Sequence, residues 1–179
     1  MRIISGTHGG RRINPPAHMP HTRPTTDIAK EGLFNILQNN LDIEELDVLD
    51  LFGGTGSISY ELASRGAVSN TIVEKDSKMY SYIKSTAEAL QFEHFQVVKM
   101  DVFSYIENCQ NKFDFIFAGP PYALASIDDL PIRIFQHQLL KPNGWFVLEH
   151  TPRNDYKKFT HYKTERHYGT TIFSIFINN

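Results

Sequence analysis

Two stretches hold residues whose types and spacing could do chemistry. One is Asp50-Leu51-Phe52-Gly53-Gly54-Thr55-Gly56, an acid followed by a glycine-rich turn. The other is Gly119-Pro120-Pro121-Tyr122, which closes the apolar run FDFIFA. A glycine turn lets the main chain come close to a ligand, and the start of a following helix offers N–H groups to an anionic group. Paired prolines fix φ and remove N–H donors, so the second turn is stiff and presents an aromatic ring suited to a flat ligand. The position before the prolines, where a polar side chain could act on a substrate, is glycine.

Positioning these residues requires a sheet with its turns at one end. The pattern from Leu46 onward supplies it. DVLDLFG reads as a buried strand, SISYELASRGA as a helix closed by Gly66, TIVEKD as a second strand and SKMYSYIKSTAEALQF as a second helix. QVVKMD, VFSYIENCQ and FDFIFAG continue as strand, short helix and strand; a helix near 130–139 and GWFVLEH follow. Residues 160–166 and 170–177 are expected to close the sheet as two more strands. Strands alternating with helices predict an α/β fold with a mainly parallel sheet. Ahead of it, Thr25, Thr26 and Asp27 can cap a helix over about 27–39. RIISGTHGGRRINPP suggests a short hairpin or extended arm, and the proline-rich 15–24 an extended crossing.

The chain of 179 residues fits one domain with a full core, and 41% hydrophobic content excludes a disordered chain. A single cysteine, Cys109, excludes an internal disulfide and a multi-cysteine metal site, which favours a reducing compartment. No apolar stretch approaches a membrane span, so a cytoplasmic location is expected. The charge is uneven. Residues 1–31 carry five Lys/Arg against two acids, residues 150–179 again five against two, and 32–149 eight against sixteen. Basic ends around an acidic middle point to a polyanion contact made by the termini.

In open α/β sheets the ligand sits beyond the carboxyl ends of the strands, at the first turn. A dinucleotide site would want glycine or alanine at position 59, which is Ser59. The acidic form of the loop suits S-adenosylmethionine instead, with Asp50 facing the methionine ammonium. Glu74 ends the second strand, about 20 residues past the loop, where a carboxylate can bind both ribose hydroxyls. Asp101 ends the third strand and could accept from the adenine amine. Asp114 starts its strand, lies at the opposite end and is expected to be structural. His18 and His21 have metal-like spacing but no ligating partner near them in sequence, and they read as surface histidines. Cys109 has no paired base. Tyr80, Tyr82 and Tyr105 fit helix faces.

At this level the chain resembles the RsmD family of class I methyltransferases. The matching pieces are RIISGTHGGRRI, TRPTTDIAKEGLFNIL, VLDLFGGTGSISYELASRGA, TIVEKD, FDFIFAGPPY, LLKPNGWFVLEH and RHYGTTIFSIF, in order along nearly the whole chain. The resemblance implies a Rossmann-like, seven-stranded sheet with one antiparallel strand and helices on both faces. It implies an N-terminal hairpin or arm (1–26) that helps grip RNA and a methyltransferase domain (27–179). S-adenosylmethionine is the implied cofactor, with Asp50, Gly53, Glu74 and Asp101 as contacts and Phe52, Gly54, Thr55, Gly56, Lys75 and Val102 beside them. The implied reaction is methylation of the exocyclic N2 of a guanine in small-subunit (16S) ribosomal RNA, free or in the assembling subunit, by a monomer that needs no metal. Arg11, Arg12 and Arg23 would contact the RNA.

Gly119, Pro120, Pro121 and Tyr122 fall on the family's (Asp/Asn)-Pro-Pro-Tyr turn. There the first side chain and the carbonyl of the next proline accept the N–H groups of the target amine, and the aromatic stacks on the extruded base. Gly119 lacks the side-chain acceptor, and no sequence neighbour stands in for it; Asp128 and Asp129 lie in the following loop. Loss of such an acceptor costs on the order of 10²–10³ in rate. The expectation is weakened activity with cofactor binding retained. A cofactor- and rRNA-binding assembly factor is the alternative from a binding class. A DNA adenine or protein glutamine methyltransferase would use the same turn, whereas a dehydrogenase is disfavoured by Ser59.

Overall fold

The computed structural model describes residues 1–19 and 24–179. Arg23 and His21 lie outside the described residues, as does part of the proline-rich stretch.

Helix α1 (Asp27–Asn40) begins where Thr26 caps it, its side chain accepting from the Ala29 N–H. The alternation then follows the sequence: β1 (Asp47–Asp50), α2 (Ser57–Ser64), β2 (Ser69–Val73), α3 (Ser77–Ala89), β3 (Phe95–Val98), α4 (Val102–Asn108) and β4 (Phe113–Ala118). Helix α5 (Asp129–Gln136), β5 (Leu140–His150), β6 (Tyr162–Tyr168) and β7 (Thr171–Ile177) complete it. The seven strands lie in the order β3-β2-β1-β4-β5-β7-β6. Strand β7 runs antiparallel to both β5 and β6, and the other strands run parallel to one another. Strand order reverses at β1, between the branch leading to β2 and the branch leading to β4. This is the point at which open α/β sheets bind ligands.

Period-two side chains divide the core between the two faces. Val48, Phe115, Phe117, Val147, Phe173 and Ile175 pack with Leu33, Phe34 and Leu37 of α1 and Ile58 and Leu62 of α2. Leu49, Ile116, Phe146, Leu148 and Phe176 pack on the opposite face with Ile106 of α4 and Leu130 and Ile134 of α5. Phe113 leaves the alternation expected of Phe113, Phe115 and Phe117 and joins the second cluster. The pairing shifts there, β5 advancing from Leu140 to Trp145 while β4 advances from Phe113 to Phe115. The same extension starts β5 at Leu140 and stops α5 at Gln136, short of the 139 expected.

Residues 1–13 form a hairpin, with Arg2 bridging Arg12 and the Ile3 N–H donating to the Arg11 carbonyl at 2.9 Å. Ile3 and Ile13 bury against Tyr60 and Ile72. Glu61 of α2, with no exposed side chain, fastens this hairpin. Its carboxylate accepts from the N–H groups of Ile4 (2.8 Å) and Ser5 (3.0 Å). It also pairs with Lys30 of α1 at 3.2 Å and with Arg65 at 2.9 Å. Burial pulls the Lys30 ammonium below its ordinary range, and Glu61 opposes that pull. At the amino ends of the strands, Asp114 accepts from the Asp47 N–H and from Lys141, a structural role that matches the expectation.

Candidate active site

Beyond the carboxyl ends of β1, β2, β3, β4 and β5 lies a cavity of about 450 Å3. Strand β1 ends on Asp50, and the chain turns through Gly53-Gly54-Thr55-Gly56 into α2. Gly56 sits at φ 80° as the residue before the helix, in the left-handed region. A Cβ there would meet the Tyr60 ring at 2.4 Å, so glycine alone lets the loop close onto the helix. Asp50, Phe52, Gly53, Gly54 and Thr55 line the cavity; Gly56 stands behind them as the pivot. Glu74 and Lys75 after β2, and Asp101 and Val102 after β3, line it as well.

Asp50 is 2% exposed and is held by two donors. The Ser59 hydroxyl donates to one carboxyl oxygen at 2.9 Å and the Phe52 N–H to the other at 3.3 Å. Burial, only partly offset by these bonds, pushes its pKa up to about 8, with Glu74 and Glu149 adding to the rise. Among the described residues no lysine or arginine pairs with it. A buried carboxyl in that condition suits a cationic ligand group, which would supply the missing opposite charge. Ser59, the residue that spoils the dinucleotide pattern, is thus the one that orients the acid.

Glu74 accepts from the Gly54 N–H at 2.9 Å and, through its other oxygen, from the Asp76 N–H at 2.8 Å. The loop and the strand-end acid are therefore one rigid unit. Asp101 caps α4, one carboxyl oxygen accepting from both Phe103 and Ser104 N–H groups. Capping accounts for that oxygen, and Asp101 also borders the cavity. The three acids at positions 50, 74 and 101 thus surround one space, as their shared place at strand ends required.

Strand β4 ends on Ala118, and Gly119, Pro120 and Pro121 form the adjoining wall of the same cavity. The Tyr122 hydroxyl donates to Glu149 Oε1 at 3.2 Å. Thr25, which precedes α1 and also lines the cavity, donates to Glu149 Oε2 at 2.6 Å. Glu149 itself is 4% exposed and lines the cavity beside Gly119. Sequence reasoning passed over it, although the rule that picked out Asp50, Glu74 and Asp101 applies equally to an acid near the carboxyl end of β5. Asp128 is turned to other work, accepting from the Tyr156 hydroxyl at 2.8 Å and from Asn154 at 3.2 Å. Arg11 and Arg12 are exposed on the hairpin and do not line the cavity.

A family model described as conserved hypothetical protein 95 matches residues 1–177. The chain belongs to this family. Its members are the RsmD-type methyltransferases, which use S-adenosylmethionine. The Bacillus subtilis protein YlbH is 34% identical over 154 residues, covering 84% of this chain and 82% of its own. The ribosomal RNA small subunit methyltransferase D of Haemophilus influenzae is 31% identical over 153 residues, covering 83% and 78%. Among solved structures, the Escherichia coli protein yhhF matches the fold with a TM-score of 0.88 at 22% identity, covering 100% of this chain and 98% of that one. The chain is therefore an RsmD-type methyltransferase, and its cavity fits the cofactor on its own chemistry. Its lining brings together a buried acid with no lysine or arginine partner among the described residues, a carboxylate fixed to the glycine loop, and the apolar side chains of Phe52, Val102 and Phe103.

Proposed function

We propose that this RsmD-type enzyme methylates the exocyclic N2 of a guanine in small-subunit ribosomal RNA. The observation that carries the reading is the joining of two half-sites in one cavity. The acidic strand ends and the Gly119-Pro120-Pro121 wall share the same space. S-adenosylmethionine supplies a methyl group already activated on a sulfonium. What the chain must add is position. The lone pair of a guanine amine is delocalised into the ring, so the amine has to be turned and held for attack. Acceptors for its N–H groups achieve this and stabilise the positive charge that develops on nitrogen. The Pro120 carbonyl serves as one acceptor and the Tyr122 ring as the platform for a base extruded from its stack. Arg11 and Arg12, exposed on the hairpin, supply cationic contacts for the RNA backbone. The name of the Haemophilus relative supports the ribosomal substrate class.

The test uses labelled cofactor and small subunits from cells lacking N2-guanine methylation. Label is expected in ribosomal RNA and, after digestion to nucleosides, in N2-methylguanosine. Label confined to adenine, to DNA or to protein glutamine would refute the reading.

A further inference from the structure

The turn lacks its side-chain acceptor at Gly119, but an acid from the neighbouring strand lies beside it. Strand β4 pairs in parallel with β5, Ala118 lying opposite Leu148, so Gly119 and Glu149 emerge side by side at the carboxyl end of the sheet. A Cβ built on Gly119 would lie 3.4 Å from Glu149 Oε2. The carboxyl oxygens of an aspartate at 119 would swing roughly 2.4 Å from that Cβ on standard bond lengths. Glu149 Oε2 is therefore within reach of the region an aspartate at 119 could serve. Its carboxylate is oriented by Thr25 on one oxygen and by Tyr122, the base platform, on the other.

We infer that Glu149 is a catalytic residue of this enzyme, supplying from β5 the side-chain acceptor that the turn at Gly119 does not. The inference rests on the proposed reaction at a guanine amine. One N–H of the bound amine donates to Glu149 and the other to the Pro120 carbonyl, and the lone pair points along the axis of attack. As the nitrogen forms its bond to the methyl carbon, the electron pair of the breaking carbon–sulfur bond stays with sulfur, which becomes a neutral thioether. The surplus proton on nitrogen passes to the Glu149 carboxylate and from there to water. Glycine at 119 leaves this side of the turn to Glu149. An acid there would set two carboxylates within a few ångströms, and one of them would be driven to hold a proton.

The experiment measures single-turnover methylation of unmethylated small subunits, with cofactor affinity by calorimetry alongside. Glu149→Ala is expected to lose 10²–10³-fold in rate, the range seen when a preorganised hydrogen-bonding group is removed, with cofactor affinity within threefold of wild type. Glu149→Gln, which keeps the shape and one acceptor, is expected to lose at least tenfold. Gly119→Asp alone should not gain rate, whereas Gly119→Asp placed in the Glu149→Ala background should recover at least tenfold. That recovery returns a carboxylate to the site from β4, which a purely structural role for Glu149 would not produce. Wild-type rates in both Glu149 variants would overturn this inference alone, with the guanine reading intact. No label in RNA from the wild-type enzyme would overturn the guanine reading and this inference with it.

Discussion

If Asp50 receives the methionine ammonium of the cofactor, binding should be a proton-linked event. Its carboxyl is raised from the ordinary carboxylate range to about 8 by burial. The folded, cofactor-free protein therefore holds a proton there that the unfolded chain gives up near pH 4. Stability from this group is fully present below about pH 4 and is lost as pH rises through about 8, at about 1.4 kcal/mol per pH unit in between. A bound ammonium reverses the balance by pairing with the carboxylate, so that acid and amine together keep one proton. At pH 7, an acid titrating at about 8 and a free amine titrating at about 8 each bring roughly 0.9 of a proton to the encounter. Binding should then release about 0.8 of a proton at pH 7, and the exchange should cross zero near pH 8. The assay is calorimetry in buffers of different ionisation enthalpy from pH 6 to 8, the slope of the observed heat giving the proton count. Asp50→Asn should abolish the release, weaken binding and stabilise the cofactor-free protein at pH 8. A proton count near zero at pH 6 and pH 7, or a release that survives Asp50→Asn, would refute the reasoning.

Two further substitutions probe the frame around the site. Glu61→Ala strands Lys30, which is 1% exposed, as an unpaired buried cation and strips the hairpin of its two N–H contacts. It should cost about 3–5 kcal/mol in urea unfolding, with faster amide exchange over residues 1–13, and a loss below 1 kcal/mol would contradict the role given to the network. Gly56→Ala forces a side chain into the left-handed region and against the Tyr60 ring, 2.4 Å from the new Cβ. It should destabilise by at least about 1–2 kcal/mol from the backbone alone and weaken cofactor binding through the loop, and an unchanged melting temperature would count against it.

Most of the frame was readable from periodicity. Buried runs such as DVLD and FDFIFA alternate with helices whose apolar stripes face the sheet, and acids at strand ends collect at one edge because parallel strands share a direction. What escaped was whatever depends on contacts between strands. Ser59 reads in sequence as a missing glycine, whereas in the fold its hydroxyl holds Asp50. Glu149 is thirty residues from Gly119 in sequence, and only the β4–β5 register makes them neighbours. The face taken by Phe113 likewise depends on an irregularity in β5 that no alternation pattern in FDFIFA reveals.

The last two strands also bear on how the chain avoids sticking to its own kind. TIFSIFI, the segment of β7, is apolar, uncharged, free of proline and rich in β-formers, the composition that seeds cross-β aggregates. Its place inside the sheet, paired on both sides, removes its edges from reach. Strand β6, which holds the outer edge instead, carries Lys163, Glu165, Arg166 and His167. Charges on an edge strand discourage a second molecule from adding to the ladder. The reversal of order between β6 and β7 therefore acts as a gatekeeper: a short turn at Gly169 folds the hazardous strand inward behind a charged one.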